Sequence, residues 1–231
     1  MKVASFGVDI QPGKYKYRCE CFDTLVEKFS PAKVTPFTIE FVGDNPDKAD
    51  SVVFAKDRQF DYVFLDLEKI EKRLERGCEE KEKTLLEKIQ KLLEAETLLC
   101  DVHDQFDEED RILLRNLSFV TYKPSLAIEG VEVNNELIKR VLDKSQVILF
   151  FTAGKKEVHA WNVDAGSNIV EAAGCIHSDL ARGFIKAEIA KCSDLDKFYN
   201  MAEARAKGLV TVVGKEYSIQ AGDIIEIKFN V

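Results

Sequence analysis

Residues 150–231 decide how this chain is read. The stretch opens F-F-T-A-G-K-K-E-V-H-A-W (150–161), passes through I-H-S-D-L-A-R-G-F-I-K-A-E-I (176–189) and closes Q-A-G-D-I-I-E-I-K-F-N-V (220–231). V-I-L-F-F-T, E-V-H-A-W-N-V, G-L-V-T-V-V and I-I-E-I-K-F-N-V are rich in β-branched and aromatic residues and are bounded by glycine and polar turns, so they read as strands. Helices are expected over 168–173 and 193–207, and Ala221-Gly222-Asp223 is a tight turn. Four or five strands curled round one main helix make a small α+β domain over 147-231.

Upstream, short strands alternate with helices, which predicts a mainly parallel α/β layer. Strands are expected over 2–6, 37–42, 51–54 and 125–128, and short helices over 22–29 and 107–117, with another capped by Asn134. The clearest helical signal runs over 65–99. Leu67, Ile70 and Leu74 fall at i, i+3 and i+7, and Leu85 or Leu86, Ile89, and Leu92 or Leu93 repeat the spacing beyond a break at Arg76-Gly77-Cys78. Charges fill the outer faces, as in an antiparallel coiled-coil hairpin. Such an arm is either structure alone or a contact surface for a protein partner.

The 231 residues suffice for one large domain or two small ones with a real core. With 45% apolar and 32% charged residues the chain is globular, neither disordered nor membranous. No apolar run reaches the length of a transmembrane helix and the N-terminus lacks a signal-peptide pattern, so a cytoplasmic protein is expected. A net charge of -8 excludes coating nucleic acid through bulk charge, leaving only a local basic face. The six cysteines are scattered without C-x-x-C, which supports neither a zinc site nor a disulfide framework. Cys100-Asp101-Val102-His103-Asp104 reads as an acidic loop rather than a metal site. No Ser/His/Asp or Cys/His arrangement marks a catalytic residue.

The strand 2–6 meets Gly7 and then V-D-I-Q-P-G-K-Y (8–15), the place where a phosphate-binding loop would sit. Gly7, Gly13 and Lys14 are the candidate nucleotide-binding residues. Against them, five residues separate the glycines where the motif has four, Pro12 removes an N–H, and Tyr15 stands where a magnesium-binding hydroxyl is needed. An ordinary strand-loop with a solvated lysine is the competing reading.

The 151–161, 172–189 and 214–231 tokens closely resemble the C-terminal TGS domain of the YchF-type GTPases, the Obg-like ATPases, which implies a ubiquitin-like β-grasp fold there. D-L-E-K-I-E-K-R-L-E-R (66–76) is similar to the start of that family's coiled-coil insert, L-S-F-V-T-Y-K-P-S-L (117–126) to the strand after it, and 23–43 to the segment leading into its second nucleotide motif. The resemblance implies an α/β fold: a truncated P-loop-NTPase-like domain (1-64 and 117-146), an antiparallel coiled-coil helical insert (65-116) and the β-grasp domain (147-231). The departures fall on nucleotide binding. The family's phosphate loop is G-x-P-N-V-G-K-S, whereas 7–15 carries an insertion and lacks the serine. Gly43 takes the metal aspartate position, and Gly130-Val131-Glu132-Val133 stands where the family reads the base with N-V-D-E.

Three functions follow. The first is a degenerate, non-hydrolysing relative that acts as a ribosome-, RNA- or protein-binding scaffold through its TGS domain and arm. The second is a residual binder or slow hydrolase of ATP or GTP with magnesium at the Gly7–Lys14 loop, because phosphoryl transfer needs metal and positioned charge. The third is a small-ligand sensor on the TGS domain. There, His177, Ser178, Arg182, Phe184 and Lys186 form the most site-like cluster, where Arg and Lys could meet phosphate and the ring could stack on a base. The competing reading makes Phe184 and Ile185 core and the polar residues solvated.

Overall fold

The computed structural model describes residues 1–130 and 132–230. Val131, inside the proposed base-reading segment, and the terminal Val231 lie outside the described residues. In chain order the elements are β1 (Lys2–Phe6), β2 (Gly13–Tyr17), α1 (Glu20–Phe29), β3 (Lys33–Thr35), β4 (Phe37–Phe41), β5 (Ser51–Ala55), α2 (Gln59–Glu75), α3 (Glu80–Glu94), α4 (Glu108–Leu117), β6 (Ser125–Ile128) and α5 (Asn135–Lys144). Then follow β7 (Val147–Ala153), β8 (Glu157–Asp164), α6 (Ile169–Ile176), α7 (Ser178–Arg182), β9 (Phe184–Lys191), α8 (Met201–Ala206), β10 (Thr211–Val213) and β11 (Asp223–Phe229). They form two compact units, residues 1–15 with 39–145, and residues 16–38 with 146–230.

The first unit is built on a sheet of order β2-β4-β1-β5-β6, in which β1 runs parallel to both β4 and β5, and β5 parallel to β6. Such a sheet needs apolar residues on both faces, and β5 supplies them: Val52, Val53 and Phe54 are all buried. Phe54 stacks on Tyr62 of α2, ring centroids 4.7 Å apart. Helices α2 and α3 form a hairpin broken near Gly77, which takes a positive φ of 80°. Ile70, Leu86, Ile89 and Leu93 of this hairpin join one core with Val52, Phe54 and Leu114. The Tyr62 hydroxyl donates to the Val120 carbonyl at 2.8 Å, and the fully buried Asp66 accepts from the Val120 and Thr121 N–H groups. These bonds hold the segment that leads back into β6.

The second unit carries a sheet of order β10-β9-β11-β7-β8-β3. β9 is antiparallel to β10 and β11, β11 is parallel to β7, β7 antiparallel to β8, and β3 parallel to β8. Phe150, Val163, Ala187, Ile189 and Ile225 pack with Ile169, Ala172 and Ala173 of α6. Side chains alternate across a strand, so Phe151 points the other way, where it meets Phe22 of α1 at 6.2 Å. Lys28 of α1 also donates to the Phe198 carbonyl at 3.2 Å. The sheet therefore has helices on both faces.

Several expectations change. Residues 16–38, read with the first domain, cluster with the second unit, because β3 completes its sheet and α1 covers its free face. The helix expected over 193–207 is a short 3-10 segment, Cys192–Lys197, followed by α8. Burial of Leu195 and Phe198 against the sheet, and the Asn200 side chain capping the Glu203 N–H at 2.9 Å, divide it. F-I-K-A-E-I is a strand, β9, that lies between β10 and β11. Cys21 and Cys192, 171 residues apart in sequence, are joined as a disulfide with Cα atoms 5.8 Å apart, where scattered spacing had suggested none.

Candidate functional site

In open parallel sheets, ligands bind outside the carboxyl ends of the strands, where the connections diverge to either side. The chain crosses from β4 on one side of β1 to β5 on the other, and a cleft of about 630 Å³ opens at that end. Gly7 and Asp9 follow β1, Lys56 and Asp57 follow β5, and Glu129 and Gly130 follow β6. None of the four charged residues was singled out in the sequence. The available signal was a polar pair placed just after an apolar strand, as in V-V-F-A-K-D and L-A-I-E-G.

The cleft is poorly equipped for phosphate. It holds three carboxylates against one ammonium, and that ammonium, Lys56 Nζ, pairs with Glu129 Oε1 at 2.7 Å. The hydrogen bond holds Lys56 above its ordinary value and Glu129 below its own. A phosphate loop also needs the helix N-terminus that follows it. Here the chain after Gly7 runs through a loop into a strand, so Gly13 and Lys14 open β2 and stay clear of the cleft. Lys14 is exposed, while Tyr15 packs edge-on to Phe41 and its hydroxyl donates to the Gln11 carbonyl at 2.9 Å. Gly7 has a local reason to be glycine: its φ is 64°, and a Cβ would press on the Arg58 side chain at 3.2 Å. Gly43 likewise has φ 72° and sits below Pro12.

The second cluster is partly structural. Phe184 is 6% exposed within the core of its unit, which removes it as a stacking surface. His177 caps α7, its Nδ1 accepting from the Asp179 N–H at 3.1 Å. Arg182 pairs with Asp179 at 2.9 Å. Ser178, Arg182 and Lys186 are exposed, and Ile185, not Phe184, is the apolar side chain beside Lys186 that faces solvent. The Cys100 thiol donates to Asp101 at 3.7 Å, and His103 stacks on Tyr122. Among the described residues no group of three His, Cys, Asp or Glu side chains gathers to hold a metal, and no helix is long and apolar enough to cross a membrane.

Residues 147–230 match the YchF-GTPase C-terminal family, described as "Protein of unknown function (DUF933)". The chain is 44% identical over 97 residues to the ribosome-binding ATPase YchF of Bacillus subtilis, covering 42% of this chain and 26% of that protein. It is 36% identical over 110 residues to the protein of the same name from Buchnera aphidicola, covering 46% of this chain and 30% of that one. It is also 41% identical over 103 residues to Obg-like ATPase 1 of Caenorhabditis elegans, covering 44% and 26%. The matches thus span less than a third of these relatives. In fold, the Schizosaccharomyces pombe YchF GTPase superposes with a TM-score of 0.79 at 17% identity, over 99% of this chain and 97% of that one. The chain has the mixed α/β fold of that GTPase, and its residues 147–230 match the C-terminal domain of the YchF-type family.

Proposed function

We propose that this chain is a cytoplasmic YchF-type relative that has lost nucleotide hydrolysis and works as a scaffold, contacting the ribosome, RNA or a protein partner through the TGS-like C-terminal domain and the helical arm. The observation that carries the reading is the fate of the phosphate loop. Where a P-loop enters a helix and gathers N–H groups round phosphate, this chain enters strand β2, and the cleft beside it holds three carboxylates against one ammonium. The matched segment supplies five of the six strands of the second unit's sheet, and the similar proteins from Bacillus subtilis and Buchnera aphidicola are named ribosome-binding ATPases.

Two measurements test this. Calorimetric titration with ATP and with GTP, each with and without magnesium, is expected to show no saturable heat up to millimolar nucleotide. Magnesium-dependent binding that Lys14→Ala weakens would restore the nucleotide-switch reading. Sedimentation with purified ribosomes is expected to carry the chain into the pellet, and Arg182→Glu with Lys186→Glu to reduce that fraction severalfold, since salt-sensitive phosphate contacts dominate RNA affinity.

A further inference from the structure

Helix α2 of the first unit carries a second stripe in which Phe60 and Phe64 are left exposed by the core, while Leu67 and Leu74 are half-buried against it. Tyr62, Val63, Asp66 and Ile70 face the interior. One step round α2, Phe60, Phe64, Leu67, Glu71 and Leu74 recur at spacings of four, three, four and three, a single helix face. Phe60 is 62% exposed and Phe64 45%, and their rings stack with centroids 6.1 Å apart. Such an i, i+4 pair is a weak local contact on a solvated helix, and exposed apolar clusters rimmed by polar groups mark interaction sites.

Beside the stripe, α2 and α3 enclose a groove of about 420 Å³. Its apolar floor is Phe64, Leu67 and Leu74, and its rim is acidic: Glu68, Glu71, Glu75 and Glu94. Glu68 pairs with Lys72 at 3.1 Å and Glu94 accepts from Gln90, while Glu71 and Glu75 form no ion pair among the described residues. No basic residue lines the groove. We infer that this groove docks a cationic amphipathic segment of a partner protein, with apolar anchors over Phe64 and Leu67 and Lys or Arg over the glutamate rim. Charge decides among occupants. A nucleic acid would meet four carboxylates, and a second copy of a chain with net charge -8 would bring like charge. A basic helix laid into an apolar groove satisfies both floor and rim. The inference rests on the arm being a contact surface in the scaffold reading and supplies that contact's chemistry.

The probe is a fluorescein-labelled helical peptide of about 18 residues, about 27 Å long as a helix, with leucines at i, i+4 and i+7 and lysines elsewhere. Its control is a peptide of the same composition with the stripe scrambled. Anisotropy titration of the full chain is expected to saturate for the striped peptide, weaken with salt, and weaken about tenfold or more in F60S/F64S and, independently, in E71K/E75K. All four positions are exposed, and circular dichroism melts of both variants serve as the fold control. Absence of binding, or equal binding of the scrambled peptide unaffected by F60S/F64S, overturns the proposal. So does concentration-dependent self-association abolished by F60S/F64S, or RNA oligonucleotide binding abolished by those substitutions. Ribosome sedimentation of the unsubstituted chain together with no saturable binding of the striped peptide would sink the groove and leave the scaffold reading standing.

Discussion

Asp66 shows how one buried carboxylate organises a junction. Its Oδ1 accepts the Val120 N–H at 3.0 Å, and its Oδ2 accepts the Thr121 N–H at 2.8 Å and the Thr121 hydroxyl at 2.7 Å. Burial pushes the carboxyl above its ordinary value, against the opposing pull of those hydrogen bonds and of Lys69. The folded protein therefore takes up this proton more readily than the unfolded chain. Stability from this group grows as pH falls toward the ordinary value of 3.8 and is lost as pH rises through the folded value. Asp66→Asn turns one acceptor into a donor facing N–H groups, and is expected to cost about 1–3 kcal/mol in urea unfolding at neutral pH. The variant should also lose this part of the pH slope, which unfolding curves between pH 7 and 4 will show. Sequence reading placed Asp66 in the helical arm; its pairing with Val120 and Thr121, more than 50 residues away, needed the fold.

At the scale of elements, local signals held where the local chemistry was complete. Helix α6 starts where Asn168 accepts the Glu171 N–H at 3.0 Å while Glu171 accepts the Asn168 N–H at 2.8 Å, a capping box legible in S-N-I-V-E. Strand β9 was missed because F-I-K-A-E-I alternates imperfectly: Ile185 and Lys186 are both exposed while Ala187 is buried. Its start is fixed by Gly183, whose carbonyl accepts the Asn230 N–H at 2.9 Å. A Cβ at Gly183 would fall on the Asn230 carbonyl. Gly183→Ala is thus expected to lower stability by about 1–3 kcal/mol, read as a drop in melting temperature. An unchanged melt would mean that the chain after β11 yields freely.

For the whole molecule, the notable assignment is residues 16–38 to the C-terminal unit. Phe22, Leu25 and Phe29 are 0–3% exposed there, and β3 pairs with β8 in register from Lys33 with Glu157 to Thr35 with His159. A fragment limited to residues 146–231 would bare the sheet face that α1 covers. It is expected to bind a hydrophobic dye and melt broadly, while a fragment joining residues 16–38 to 146–231 should melt cooperatively. The Cys21–Cys192 bridge adds a covalent tie, and disulfides typically contribute about 2–4 kcal/mol. Alkylation of the denatured protein should label four cysteines without reductant, Cys19, Cys78, Cys100 and Cys175, and six after reduction. Six labels without reductant would show the pair to be free thiols.

The sequence by itself determined the family of the C-terminal domain, through long gapless tokens over its last third, and the positions of most strands and helices, through periodicity and caps that act within a few residues. Read against a phosphate loop, residues 7–15 depart by a missing hydroxyl and an added residue, and both departures are visible without coordinates. Only the tertiary structure decided that this loop runs into a strand, that Lys14 lies away from the cleft, that Phe184 is core, and that α1 and β3 serve the second unit. Each of these depends on which distant segment covers which face, and burial against a remote partner leaves no local mark in a chain.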